Sequence, residues 1–326
     1  MTKTHKIQWL NLPGYKGETW NPIIGCNKIS DGCQNCYAEK MARRLSAIAL
    51  SKPDENTGFD VSGIGNYAEI ISPTGKWNGT TRRVQNAINK PLHWKKPRVI
   101  FVCSMGDLFH ESVPDKWIES VFHTMWAAKN HIFIVLTKRA QRMHEFLFNM
   151  HMRPTLNFWT HPLKNVWLGV TAENQLTFNK RISYLHAVPA SVRFVSMEPL
   201  LGPISIYTHI NIENKPDWVI TGGESGHNAR PMHPDWVRDI GSQCKDTGVP
   251  FFFKQWGEYE YTHQSDLYQS QSDGVIWPSS KYYKWQYKDE NEACINGGGL
   301  CFRKVGKHRS GGWLDGVKHE EYPEFK

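Results

Sequence analysis

Six short apolar runs, each followed at once by polar residues, constrain the fold of this chain more than any other feature. They are Val99–Val102, Ile132–Leu136, Val166–Val170, Arg193–Ser196, Trp218–Ile220 and Val249–Phe253. Runs of this kind fit strands covered on both faces, as in a parallel sheet. The stretches between them carry helical patterning. Pro114 stands just before Asp115–Lys129, where Trp117, Ile118, Val121, Phe122 and Met125 recur at helical spacing. Gln141–Met150 and Pro234–Asp246 are similar. Alternating strand and helix predict an α/β fold on a parallel sheet, either a full or partial (β/α) barrel or an open Rossmann-type sheet.

In both architectures sites are built at the carboxyl edge of the strands. Cys103, Asp107, Lys138, Arg139, Glu173, Glu198, Glu224, Lys254 and Gln255 all fall there and are expected to face one mouth. Two stretches resist the scheme. Ser51–Lys96, with many Gly, Pro, Asn and Thr, is expected to loop over the surface. Tyr259–Trp285, rich in Gln, Ser and Tyr, precedes Gly297–Gly299 and Gly311-Gly312 and predicts an irregular C-terminal cap. The expected organisation is a barrel over residues 1–257 and a cap over 258–326.

No apolar run approaches the roughly 20 residues that span a bilayer, and Met1–Leu10 lacks the apolar core of a signal peptide. A cytoplasmic protein without membrane contact is expected. The seven cysteines are odd in number, and three of them crowd into residues 26–36, unlike a secreted disulfide framework. A net charge of +8 favours polyanions. The basic runs themselves are short (Arg43-Arg44, Arg82-Arg83, Lys95-Lys96, Lys138-Arg139) and read as solvated faces.

The crowded cysteines are Cys26, Cys33 and Cys36, in the string GC-x6-C-x2-CYAE. A helix is expected to follow, with Ala38, Met41, Ala42, Leu45, Ile48 and Ala49 along one face. Structural zinc typically takes four ligands in two separated pairs, and no paired partner for this C-x2-C is evident. Three thiolates on a four-iron cubane would leave one iron open for a small molecule. The helix N-terminus favours thiolate and cluster charge, and Gly25 and Gly32 give the backbone room to bend. Spacing alone leaves iron–sulfur cluster, zinc and a plain thiol group open.

The cysteine loop resembles that of radical S-adenosylmethionine (SAM) enzymes. The chain as a whole is similar to a phage- and prophage-borne family of radical-SAM-like proteins of unassigned substrate. The resemblance rests on Thr19–Pro22, the cysteine loop, Ser104–His110, Leu136–Arg139, Trp167–Gln175, Val195–Gly202, Thr221–Gly226 and Phe253–Gly257. It implies a partial (β/α) barrel and a [4Fe–4S] cluster on Cys26, Cys33 and Cys36. SAM would chelate the open iron, and its reductive cleavage would give a 5′-deoxyadenosyl radical that takes a hydrogen atom from substrate. An electron donor of flavodoxin or ferredoxin type is implied, and a protein partner is compatible.

The loop departs from the common C-x3-C-x2-C, and Asn35 stands where an aromatic residue commonly precedes the third cysteine. The family's SAM-contacting turn after the second strand corresponds to Ser104, Met105, Gly106 and Asp107, not to Gly222, Gly223 and Glu224. Glu173 is the expected further SAM contact. Lys138, Arg139, Glu198, Glu224, Lys254 and Gln255 are the substrate candidates, with salt bridges among them also expected. Cys294 and Cys301 repeat the C-x6-C spacing but read as ordinary thiols. Basic charge and abundant aromatics make a nucleobase or nucleotide of DNA or RNA the substrate class to test. The competing readings are a zinc- or cluster-stabilised nucleic-acid binder without catalysis, and an enzyme acting on a nucleotide-derived small molecule.

Overall fold

The computed structural model describes residues 5, 7–51, 65–151, 162–207, 215–263, 285–287, 292–295 and 300–324. In chain order its elements begin with β1 (Lys16–Trp20), β2 (Ile23–Ile24), α1 (Tyr37–Ser51), α2 (Asn66–Ile70), β3 (Arg82–Arg83) and β4 (Arg98–Val102). Then come α3 (Asp115–Ala127), β5 (Ile132–Thr137), α4 (Ala140–His151), β6 (Val166–Thr171), α5 (Gln175–Ala187), β7 (Val192–Met197), β8 (Trp218–Gly222), α6 (Pro234–Thr247) and β9 (Phe251–Gln255). The C-terminal part holds β10 (Tyr259–His263), β11 (Trp285–Tyr287), β12 (Glu292–Ile295), β13 (Leu300–Lys304) and α7 (Lys307–Ser310).

Seven strands form one parallel sheet in the order β1-β4-β5-β6-β7-β8-β9, curled into a half-barrel. The order never reverses, so the open Rossmann-type alternative, with its switch point, is set aside. Successive side chains point to opposite faces. Ile100, Val102, Phe133, Val135 and Val195 share a core with Ile118 and Phe122 of α3, Phe146 of α4 and Ile182 of α5. Phe101, Ile134, Trp167, Phe194, Trp218 and Phe252 face the other way, onto Trp9, Leu10 and Leu12. The single turn at Gln8–Leu10 touches β1, β4 and β9. Six strand spacings of about 4.8 Å would hold the outer strands of a flat sheet some 29 Å apart, so one short turn reaches both sides only because the sheet curls.

The helices begin at the mouth with their own stop and start signals. Asn174 caps α5, its Oδ1 accepting from Thr177 N at 3.0 Å. Pro234 opens α6, and Gly248, with φ +64°, ends it.

Residues 65–96, expected as surface loops, include buried Tyr67, Ile70, Val84, Ala87 and Ile88. Tyr67, Ile70, Val84 and Ala87 pack under the cysteine loop and α1 because Ile24, Ala38, Ala42 and Met105 need cover, while Ile88 joins the main core; residues 52–64 of that stretch lie outside the described residues. In place of an irregular cap stands a four-stranded antiparallel sheet, β10-β13-β12-β11. Phe302 and Tyr259 give it a small core with Ala229. Residues 264–284 and Gly297–Gly299 lie outside the described residues. The chain then returns to the half-barrel: Phe253 N bonds to His319 O at 2.9 Å and Trp256 N to Gly311 O at 3.1 Å, covering the free edge of β9.

Candidate functional site

The cysteine loop runs between β2 and α1 and lies over the mouth. It is sewn first to the turn after β4. Gly25 N bonds to Met105 O at 3.1 Å, and Gly25 and Gly106 form an isolated parallel bridge. The two backbones approach so closely that a Cβ on Gly106 would lie 2.9 Å from Gly25 O, and on its other side a Cβ on Gly25 (φ +95°) would lie 2.2 Å from Thr80 O, just before β3. Asn21 Oδ1 accepts from Met105 N (2.9 Å) and Ser104 Oγ (3.1 Å), and the Tyr37 hydroxyl donates to Ser104 O at 2.8 Å. The turn Ser104–Asp107 and the cysteine loop are thus one unit.

A buried arginine makes the second attachment. Arg139, at the end of β5, donates to Asp107 Oδ2 (3.0 Å), to both oxygens of Glu111 (3.0 and 2.8 Å), to Asn27 Oδ1 and to Cys26 Sγ (3.7 Å). Asp107 also accepts from Thr137 Oγ1 (2.7 Å), Phe109 N (3.0 Å) and Lys138 N (3.4 Å). His110 reaches the same Asn27 at 3.0 Å. Burial pushes the Cys26 thiol up to about 12, Asp107 adds to the rise, and Arg139 opposes it.

The third attachment is Glu173 at the end of β6. It is fully buried, pairs with Arg181 at 2.8 Å and accepts from Gly32 N at 3.3 Å. Burial alone would raise this carboxyl, but Arg181, a hydroxyl from Ser30 and Lys138 hold it below its ordinary value. The fourth is Glu224 beyond β8. Arg230 donates to both its oxygens (2.6 and 2.8 Å) and reaches Asp31 O (2.9 Å) and Gln34 Oε1 (3.2 Å). Asn35 Nδ2 donates to Glu224 Oε2 (3.0 Å) and Asn228 O (2.6 Å). Four strand ends therefore grip one loop.

Asp107, Glu173 and Glu224 are each engaged within the protein: Asp107 by Arg139, Glu173 by Arg181 and Gly32 N, and Glu224 by Arg230 and Asn35. Of the expected salt bridges Lys254–Glu198 forms, its charged atoms 2.5 Å apart, while Arg139 pairs with Asp107 at 3.0 Å, outside the expected set. Gln255 is buried, and its carbonyl accepts from Gly223 N at 2.8 Å. Cys103 and Cys244 are buried thiols, while Cys294 and Cys301 are register partners across β12 and β13. Sequence reasoning did not single out Asn27, His110, Arg181 or Arg230. His110 closes the Ser104–His110 string and so carried a signal; Arg181 and Arg230 sit in stretches that read as an ordinary helix and turn.

Cys26, Cys33 and Cys36 are free and half-buried. Cys36 lies within electrostatic reach of Cys26, while Cys33 turns to Ser30 Oγ at 3.8 Å. Among the described residues no three His, Cys, Asp or Glu side chains stand close enough together to hold a metal ion. The donor chemistry, three thiols on one gripped loop with an arginine beside the first, suits a thiolate-bound cluster, and binding one would have to draw the sulfurs together. No helix among the described residues is long and apolar enough to cross a membrane.

Neither curated proteins nor solved structures gave a match. A family described as a protein of unknown function (DUF5131) matches residues 5–323, nearly the whole of this half-barrel, its gripped cysteine loop and its returning C-terminal segment, and to that family the chain belongs.

Proposed function

We propose that this protein is a radical-SAM-type enzyme whose [4Fe–4S] cluster is held by Cys26, Cys33 and Cys36 over the mouth of the half-barrel. The observation that supports this most is the grip: four parallel strand ends fix one three-thiol loop where α/β enzymes place their chemistry. When bound, the cluster supplies the electron that cleaves the SAM sulfonium and so generates a hydrogen-abstracting radical.

The remaining work falls to the chain. Arg139 lowers the cost of turning Cys26 into a thiolate, against burial and Asp107. Glu173 and Glu224 keep the loop in register with β6 and β8. The Ser104–Asp107 turn backs the cysteine loop, Met105 O holding Gly25 N and Ser104 O holding the Tyr37 hydroxyl. The Glu198–Lys254 ion pair, each partner with 19 % of its side chain exposed, offers a polar contact to a substrate.

The deciding experiment is anaerobic reconstitution followed by dithionite and SAM. About four iron and four sulfide per chain and release of 5′-deoxyadenosine are expected, with iron lost in Cys26→Ala, Cys33→Ala and Cys36→Ala. Stoichiometric zinc without iron uptake would favour the non-catalytic binder. A cluster-loaded protein that leaves SAM intact ends the radical proposal.

A further inference from the structure

Outside the mouth, exposed positive charge gathers on one rim. Glu39, the acid of α1, turns inward: it accepts from Trp77 N at 3.1 Å and pairs with Lys28 at 2.9 Å. The charged side chains that the helix shows solvent are therefore all cations, Lys40, Arg43 and Arg44, set among exposed Met41, Ile48 and Leu50. At its start the residue Tyr37 is 55 % exposed while its hydroxyl is pinned to Ser104 O. Lys40 reaches the turn after β8, its Nζ 3.0 Å from where a Cβ on Gly226 would stand. Lys304 Nζ donates to the next carbonyl, His227 O, at 2.6 Å. Lys307, His308 and Arg309 follow, exposed on α7. Gly306 N bonds to Glu258 O at 3.0 Å, and Glu258 N to Glu224 O at 3.1 Å, so this basic segment shares its anchor with the cysteine loop.

The neighbouring acids do not cancel it. Glu224 is taken by Arg230, Glu198 by Lys254, and Glu258 Oε1 accepts from Gly226 N at 2.8 Å; Asp31 is an exposed acid on the loop.

We propose that this rim is a binding track for a single strand of nucleic acid, its phosphates lying along Lys40, Arg43, Arg44, Lys304, Lys307 and Arg309 and one base turned onto the ring of Tyr37. Cations spaced along a rim match a phosphodiester chain, and an accessible aromatic ring with a fixed hydroxyl is a sequence-tolerant stacking platform. A base inside a duplex would have to leave its stack to reach Tyr37, which selects a single strand. The role given to Tyr37 rests on the mouth being the reaction site; the track itself rests on charge and geometry.

Fluorescence anisotropy on the full chain, before and after reconstitution, tests it with labelled DNA and RNA strands of about 12 nucleotides, the matching duplex, and phosphatidylserine-containing vesicles. Single strands should bind with a steep salt dependence, each phosphate contact adding about 0.7 to the slope; the DNA and RNA arms show which polymer is taken. Lys40→Gln, Arg44→Gln, Lys307→Gln and Arg309→Gln together should weaken binding about tenfold or more and lower the slope by between about 2 and 3. The same charge removed at the opposite end of the sheet, with Lys95→Gln, Lys96→Gln, Lys129→Gln and Lys245→Gln, should change it by less than about threefold. Tyr37→Leu should cost about tenfold on single strands, with Tyr37→Phe retaining binding. Absence of strand binding at low salt, equal losses in the two quadruple variants, or preference for duplex or vesicles overturns the track. Strand binding without SAM cleavage keeps the track and removes the radical reading; cleavage without strand binding does the reverse.

Discussion

Arg139 and Glu173 show how single residues serve the site by being consumed within it. Arg139 is 3 % exposed and joins Asp107, Glu111, Asn27 and Cys26. Its removal leaves a buried Asp107 unpaired, and breaking such a pair costs about 3–5 kcal/mol. Urea unfolding of Arg139→Met should register that loss. Arg139→Lys should fail to restore it, because a lysine ammonium cannot reproduce the planar fork of donors. Full stability in the lysine variant would show that charge alone matters. Glu173 makes a prediction about acid. Its carboxyl is held below 4.5 by Arg181 and Ser30 in spite of burial. A carboxylate depressed on folding contributes its full stabilisation above the unfolded value and loses it as pH falls through the folded one. Glu173→Gln should therefore melt below the parent at neutral pH, and the two curves should converge below about pH 4.5. A gap that stays constant with pH would assign the effect to packing.

Among elements, the central strands were legible and the grip on the loop was not. Val99–Val102 and Ile132–Leu136 announce themselves because neighbours on both faces remove them from water. Strand β1, at the sheet margin, is buried only at Gly17 and Trp20 and carries Lys16 and Glu18, so composition hides it. Strands β10 to β13 are hidden in the same way, being short and mixing Glu, Gln, Arg and Lys with their apolar residues. The cysteines and the strand-end charges could be read from the chain. Asn35 with Glu224, and Gly32 with Glu173, could not: they meet only when the sheet curls and brings distant strand ends under one loop. Arg230→Ala tests the grip as an element. It removes the bonds to Asp31, Gln34 and Glu224 while leaving the sheet intact, so amide exchange should quicken over residues 31–36 by about tenfold or more with the strands unchanged. Uniform acceleration across the sheet would mean that Arg230 supports the whole fold.

At the scale of the whole molecule, the parallel sheet is finished by residues far along the chain. Glu321 O accepts from Trp218 Nε1 at 2.8 Å, Phe251 N donates to Glu321 Oε2 at 3.0 Å, and Tyr322 packs on the inner face of the sheet. A chain ending after Gly257 would bare the edge of β9 and that face. It should be found largely in aggregates, or as a monomer several degrees less stable, by sedimentation and thermal melting; a soluble truncate with an unchanged melt would show that residues 258–324 are dispensable to the half-barrel. Trp218 is touched by Trp9 near one terminus and by Tyr322 near the other, with ring centres 6.5 and 5.5 Å away. An indole clasped by residues so distant in sequence ties the concave wall to the segment around Tyr322: that wall is sealed only when a stretch made well after Trp218 has docked upon it.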